Sequence, residues 1–68
     1  MRERIKKMVQ GVLGKPVTSG MPLELDSLEV MAICVGAEQQ LGLELSFGEV
    51  NQAKTYGDLE ALLEMKAP

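Results

Sequence analysis

Leu25-Asp26-Ser27-Leu28-Glu29 stands immediately before the longest helix-periodic run of the chain, and its reading decides the fold. Asp26 is a good N-cap, because its carboxylate accepts backbone N–H groups of the first helical turn. Glu29, three residues later, reaches back as the second half of a capping box. Ser27 is then the first helical residue. Its hydroxyl stands at the positive end of the helix dipole, among N–H groups that have no partner inside the helix. An anion is favoured there, a phosphate above all, so Ser27 is the candidate to carry a phosphate-linked group.

The helix opened by Ser27 is predicted to run to Leu41 and to end at Gly42. At about 100° per residue its apolar side chains fall into two nearly opposite sectors. Val30, Ile33, Cys34, Ala37 and Leu41 form one sector, and Leu28, Met31, Ala32 and Val35 form the other. The first is read as core. The second is either a further core surface or an exposed contact site. Wrapping a central helix on all sides is hard in so small a domain, so Leu28, Met31 and Val35 are read as partner-facing, flanked by Glu29 and Glu38. Cys34, on the core stripe, is read as a small buried hydrophobe and not as a reactive thiol.

Downstream, Leu43 and Leu45 lie in a short connector, and Ser46-Phe47-Gly48-Glu49 is another capping box. It opens a short third helix ending at about Ala53. Thr55-Tyr56-Gly57-Asp58 is a similar start with Asp in place of Glu, opening a last helix with Leu59, Leu62 and Leu63 on one face. Met65 to Pro68 is expected to fray. Upstream, Ile5, Met8, Val9, Val12 and Leu13 form a full helical stripe, which gives a first helix over about residues 2–13. Gly14 ends it as a left-handed cap, and Pro16 forbids its continuation. Residues 14–25 hold two prolines and two glycines and read as a loop, pinned to the core by Val17, Met21, Leu23 and Leu25. The pattern predicts one all-α domain over residues 1–68. It is a small four-helix bundle of three longer helices and one short third helix, without a sheet.

Sixty-eight residues bury roughly ten to fifteen aliphatic side chains, each contributing about 1.5–3 kcal/mol. One Tyr and one Phe leave the core to Leu, Val, Ile and Met, and the five methionines supply adaptable packing or an adaptable contact surface. One cysteine allows no internal disulfide, and with no histidine there is no cysteine-rich or histidine-based metal site. That composition fits a reducing, cytoplasmic setting. No apolar run approaches the length of a membrane span, and Met1-Arg2-Glu3-Arg4 leads into an amphipathic helix in place of a signal peptide.

The net charge of −3 is unevenly spread. Residues 1–15 hold five cations and one acid, net +4, and residues 16–68 hold two cations and nine acids, net −7. The acidic part suits basic protein surfaces and argues against nucleic acid as partner. The basic first helix either meets an anionic partner or is a solvated face.

Catalysis fails on inventory. A serine nucleophile needs a base, most often histidine, and there is none. A carboxylate pair needs a sheltered cleft, which four short helices hardly provide. Asp26-Ser27-Leu28 echoes a hydrolase motif only superficially, so no catalytic residue is assigned and the chain is read as a non-enzyme.

At these residues the chain resembles the acyl carrier proteins and their peptidyl-carrier relatives. Leu25-Asp26-Ser27-Leu28 is similar to the Asp-Ser-Leu motif at the start of that family's second helix. Leu41-Gly42-Leu43-Glu44-Leu45 resembles the end of that helix and the turn after it, and Thr55-Tyr56-Gly57-Asp58-Leu59 resembles the opening of the last helix. The resemblance implies that Ser27 bears 4′-phosphopantetheine through a phosphodiester, making the chain a phosphoprotein. It implies recognition of Leu28 by the phosphopantetheinyl transferase, alongside Asp26 as cap. The arm's thiol then carries acyl groups as thioesters between acyl-loading and acyl-transfer or condensing enzymes, in fatty acid or polyketide chemistry. The partner face is Leu28, Glu29, Met31, Val35 and Glu38, and the carrier is expected to be monomeric. Aminoacyl or peptidyl cargo is the alternative, as is an unmodified carrier-like interaction module. The first loop is shorter than is usual in the family and lacks the aromatic residue that peptidyl carriers often place before the motif. The second helix is less acidic and greasier than in typical fatty-acid carriers, which implies a specialised carrier with dedicated partners.

Overall fold

The computed structural model of the protein describes residues 1–67. The first stripe forms α1, Arg2–Leu13, with Ile5, Met8 and Val9 buried and Val12 and Leu13 packed at their edge. Gly14 closes it in the left-handed conformation and donates its N–H to Gln10 O at 2.8 Å. Ser27–Gly36 forms α2, Phe47–Gln52 the short α3, and Tyr56–Lys66 the last helix, α4. All three later helices open with a complete capping box, on Asp26/Glu29, Ser46/Glu49 and Thr55/Asp58. α1 packs on α2 and α4, and α2 packs on α3. The protein is thus the all-α four-helix bundle expected, with no strand among the described residues and a single antiparallel bridge between Pro22 and Thr55.

Twelve apolar side chains make the core, drawn from every helix together with Val17 of the first loop and Leu43 of the second connector. No polar or charged residue is buried among the described residues. Met21, Leu23 and Leu25 lie half-buried against this core, so the loop is pinned where the sequence places the pins.

Two local expectations are corrected. The second helix reaches Leu41, but its last five residues, Ala37–Leu41, form a wider π turn. Tertiary contacts frame that widening. Gly36 lies so close to α1 that a Cβ there would stand 2.9 Å from Met8 Sδ, and Arg4 Nη2 donates to Gln40 O at 2.7 Å. Gly42, at φ 69°, then reverses the chain, a conformation that costs a Cβ-bearing residue about 1 kcal/mol or more. Its N–H bonds Ala37 O and Glu38 O, and Leu43 N–H also bonds Ala37 O at 3.1 Å. With the register shifted, Leu41 is only half-buried.

The second correction is the C-terminus. Met65 and Lys66 are helical instead of frayed, because Lys66 Nζ pairs with Glu49 Oε2 at 2.9 Å and Ala67 N–H bonds back to Leu63 and Glu64. Pro68 lies outside the described residues.

Candidate functional site

Asp26 holds an extended backbone, φ −83° and ψ 176°, which turns the loop into the helix. Its Oδ1 accepts Glu29 N–H at 2.8 Å, and Glu29 Oε1 accepts Asp26 N–H at 3.1 Å. Asp26 O accepts the first intrahelical bond, from Val30 N–H at 3.0 Å. The N–H groups of Ser27 and Leu28 find no partner among the described residues. The Ser27 hydroxyl is exposed beside them, at the electropositive end of α2. A phosphodiester at this hydroxyl meets two free donors and the dipole, worth about 0.3–1 kcal/mol at an exposed helix end.

Two grooves flank the chain that leads to Ser27. One, of about 500 Å³, runs between residues 23–26 and Val50, Asn51 and Ala53 at the end of α3. The other, of about 110 Å³, lies between Leu13 and Lys15 at the end of α1, loop residues Met21–Leu25, and Glu29. Apolar and polar groups therefore lie on both sides of the chain that leads to Ser27.

The outer stripe of α2 is open to solvent: Leu28 is 75% exposed, Met31 53% and Val35 46%. The inner stripe is the opposite, with Val30 at 2% and Ile33 and Ala37 at 0%. Ala32 and Cys34 sit between the two at half burial, and Cys34 is therefore less sheltered than the sequence predicts. Burial first, and then the charge of Glu49, raise the Cys34 thiol above its ordinary value. It is a poor nucleophile at neutral pH. Glu38 is exposed at the far end of the stripe, whereas the Glu29 carboxylate is engaged in its cap. Ser27, Leu28, Met31 and Val35 thus share one open side of α2.

Sequence reasoning missed what holds the loop in front of Ser27. Leu23 N–H donates to Lys54 O at 2.9 Å, Tyr56 N–H to Met21 O at 2.9 Å, and Gly57 N–H to Ser19 O at 2.8 Å. Tyr56 is the largest fully buried side chain, and its hydroxyl has no hydrogen-bond partner among the described residues. Burial, with the Glu60 carboxylate beside it, holds that phenol above tyrosine's ordinary value. The aromatic within Thr55-Tyr56-Gly57-Asp58 was the available signal, read only as a helix start.

The basic first helix also has a use that charge counting did not show. Arg2 Nε pairs with Glu60 at 3.2 Å and Glu64 at 3.0 Å, fastening α1 to α4, and Arg4 caps the π turn. Lys6, Lys7 and Lys15 remain exposed and unpaired among the described residues.

Among the described residues no helix is long and apolar enough to cross a membrane. Residues 3–63 match the model of the family described as "Phosphopantetheine attachment site". Among solved structures the chain is similar to a holo acyl carrier protein from Geobacter metallireducens. The identity is 22% and the TM-score 0.74, over 96% of this chain and 83% of that one. No curated protein matches.

Proposed function

This chain belongs to the phosphopantetheine attachment-site family, and we propose that it is an acyl carrier whose Ser27 bears the family's 4′-phosphopantetheine and passes thioester-bound acyl groups between enzymes. The observation that carries the assignment to Ser27 is its exposed hydroxyl at the first position of a capped helix, beside two unpartnered N–H groups. The chain's own residues position and present. Asp26 fixes the helix start. Ser27 Oγ takes the phosphopantetheinyl phosphate from coenzyme A as the coenzyme's pyrophosphate bond breaks, adenosine bisphosphate leaves and the hydroxyl proton passes to the transferase or solvent. The end of α2 stabilises the phosphodiester charge. The cofactor supplies the thiol that holds the acyl group, so neither Cys34 nor any histidine is needed.

Leu28, Met31 and Val35 are the anchors for the transferase and for acyl-loading and acyl-transfer or condensing enzymes, with Glu29 and Glu38 at the rim. Exposed apolar side chains beside the cargo let an enzyme hold the carrier while it receives the arm. The acidic remainder of the chain suits partners with basic surfaces, and a monomer acting in the cytoplasm fits this shuttling role. Fatty acyl, polyketide and aminoacyl cargo all use the same thioester.

The test is intact mass of the apo protein after incubation with coenzyme A and a phosphopantetheinyl transferase, with fragmentation to place the group. One phosphopantetheine on Ser27, absent in Ser27→Ala, is expected. Uptake by the Ser27→Ala protein, or attachment at Ser46 or Ser19, overturns the assignment. An unmodified protein that still binds partner enzymes through its α2 face supports the second reading, an interaction module, which the exposed stripe favours.

A further inference from the structure

We propose that the start of α4 is a positioning device for Ser27, acting through the backbone ladder between residues 19–23 and 54–57; this rests on Ser27 being the attachment site. The first N–H groups of any helix lack intrahelical acceptors. Asp58 N–H is satisfied by Thr55 Oγ1 at 3.2 Å, within its own capping box. Tyr56 and Gly57 instead donate to the loop carbonyls of Met21 and Ser19. The first loop therefore serves as the cap of the last helix, and the last helix fixes the register of the loop.

The same loop ends in the cap of α2. Leu23 N–H, bonded to Lys54 O, is the last rung of the ladder. Only Glu24 and Leu25 separate that rung from Asp26, and four residue steps separate it from Ser27. Four steps span at most about 14 Å of extended chain, so the rung limits where Asp26 and Ser27 can sit. Side chains hold the same segment alongside the ladder: Met21, Leu23 and Leu25 lie half-buried against the core, and Asp26 is tied to Glu29 by the cap. Val17 is buried and its N–H reaches Gln10 Oε1 at 3.2 Å, and a turn joins Met21 N–H to Thr18 O at 3.0 Å. Both lie upstream of the last rung.

Gly57 makes the ladder specific. A Cβ at this position would stand 2.7 Å from Ser19 O, closer than real contacts allow, and the atom it meets is backbone. The rung at Ser19 and a side chain at residue 57 are therefore incompatible. Gly57 is thus a positioning residue, remote in sequence from Ser27.

The experiment compares transferase kinetics of the apo proteins with coenzyme A. Gly57→Ala is expected to lower kcat for modification of Ser27 by about tenfold to a hundredfold, the range that small misplacements of a reacting group produce, with KM little changed because the α2 face is intact. Val9→Ala, a core truncation on α1 outside the ladder, is expected to lower the melting temperature while leaving both constants near wild type at temperatures where it is folded. Should Gly57→Ala fail to fold, Pro22→Gly loosens the same rungs by enlarging backbone freedom, and a smaller fall in kcat is expected. Tyr56→Phe keeps every rung and is expected to be modified normally. Wild-type kcat in whichever of Gly57→Ala and Pro22→Gly folds, or an equal loss in Val9→Ala at matched melting temperature, overturns the proposal. Amide NMR shifts separate this failure from that of the attachment reading. Displaced Ser27 and Leu28 amides in the folded ladder variant report the coupling even if the transferase modifies no serine, and unmoved amides refute it.

Discussion

The inner and outer faces of α2 are built from the same kinds of side chain and behave in opposite ways. Val30, Ile33 and Ala37 are sealed against α1, α3 and the rest of the core, while Leu28, Met31 and Val35, interleaved with them, face solvent. Hydropathy does not distinguish the two, since a valine stands on each. The difference comes from what surrounds the helix. α1 and α3 cover one side, and no element among the described residues covers the other. An exposed apolar face of this kind is the basis for the docking role proposed above.

A charge placed on each face in turn separates the two most sharply. Ile33→Glu puts an unpaired carboxylate at a fully buried position, at a cost of several kcal/mol. A domain of this size has only about 3–10 kcal/mol of stability, so loss of the cooperative thermal transition by circular dichroism is expected. Met31→Glu and Val35→Glu, on the open side, are expected to leave the melting temperature within a few degrees of wild type. Transfer by partner enzymes is expected to weaken by about 1–2 kcal/mol, roughly five- to thirtyfold in kcat/KM. Equal destabilisation by Ile33→Glu and Met31→Glu in one set of melting curves would show both faces to be core.

The capped start common to both faces sharpens the comparison at a smaller scale. Asp26→Ala removes the acceptor of Glu29 N–H and is expected to cost about 1 kcal/mol, measured by urea denaturation. It is also expected to slow modification of Ser27, whereas Ser46→Ala, which removes the equivalent acceptor from α3, should cost similar stability and leave modification unchanged.

The smallest effect is pH-dependent and lies away from α2. The Ser46 backbone N–H first, and Lys66 second, hold the Glu49 carboxyl below its ordinary value. A lowered carboxyl pKa contributes stability that is full above the ordinary carboxylate range and is lost as pH falls through the lowered value. Melting temperature should therefore decline slightly less on acidification in Glu49→Gln than in wild type. Identical acid profiles for the two proteins would remove Glu49 from the account.

Much of this was legible because it is local. A capping box needs only two side chains three residues apart and no tertiary partner, so Asp26/Glu29 and Ser46/Glu49 announced their helices, and with them the position of Ser27. The stripe on α1 needed only periodicity, and the left-handed ends at Gly14 and Gly42 needed only the absence of a Cβ. The long-range features were illegible for the converse reason. Nothing near Arg4 indicates that its guanidinium reaches the carbonyl of Gln40, and nothing near Gln40 indicates a π turn. Lys66, expected to sit in a fraying end, is held by Glu49 from a different helix.

The sequence by itself determined four helices, their starts, and a serine exposed at the start of the second, because caps and periodicity act within one or two turns. The close of the second helix in a π turn, the need for glycine at residue 57 and the anchoring of the loop before Ser27 came from the tertiary structure alone. Those properties depend on atoms far apart in the chain, brought into contact when α1, α3 and α4 close around one side of α2 and leave the other open.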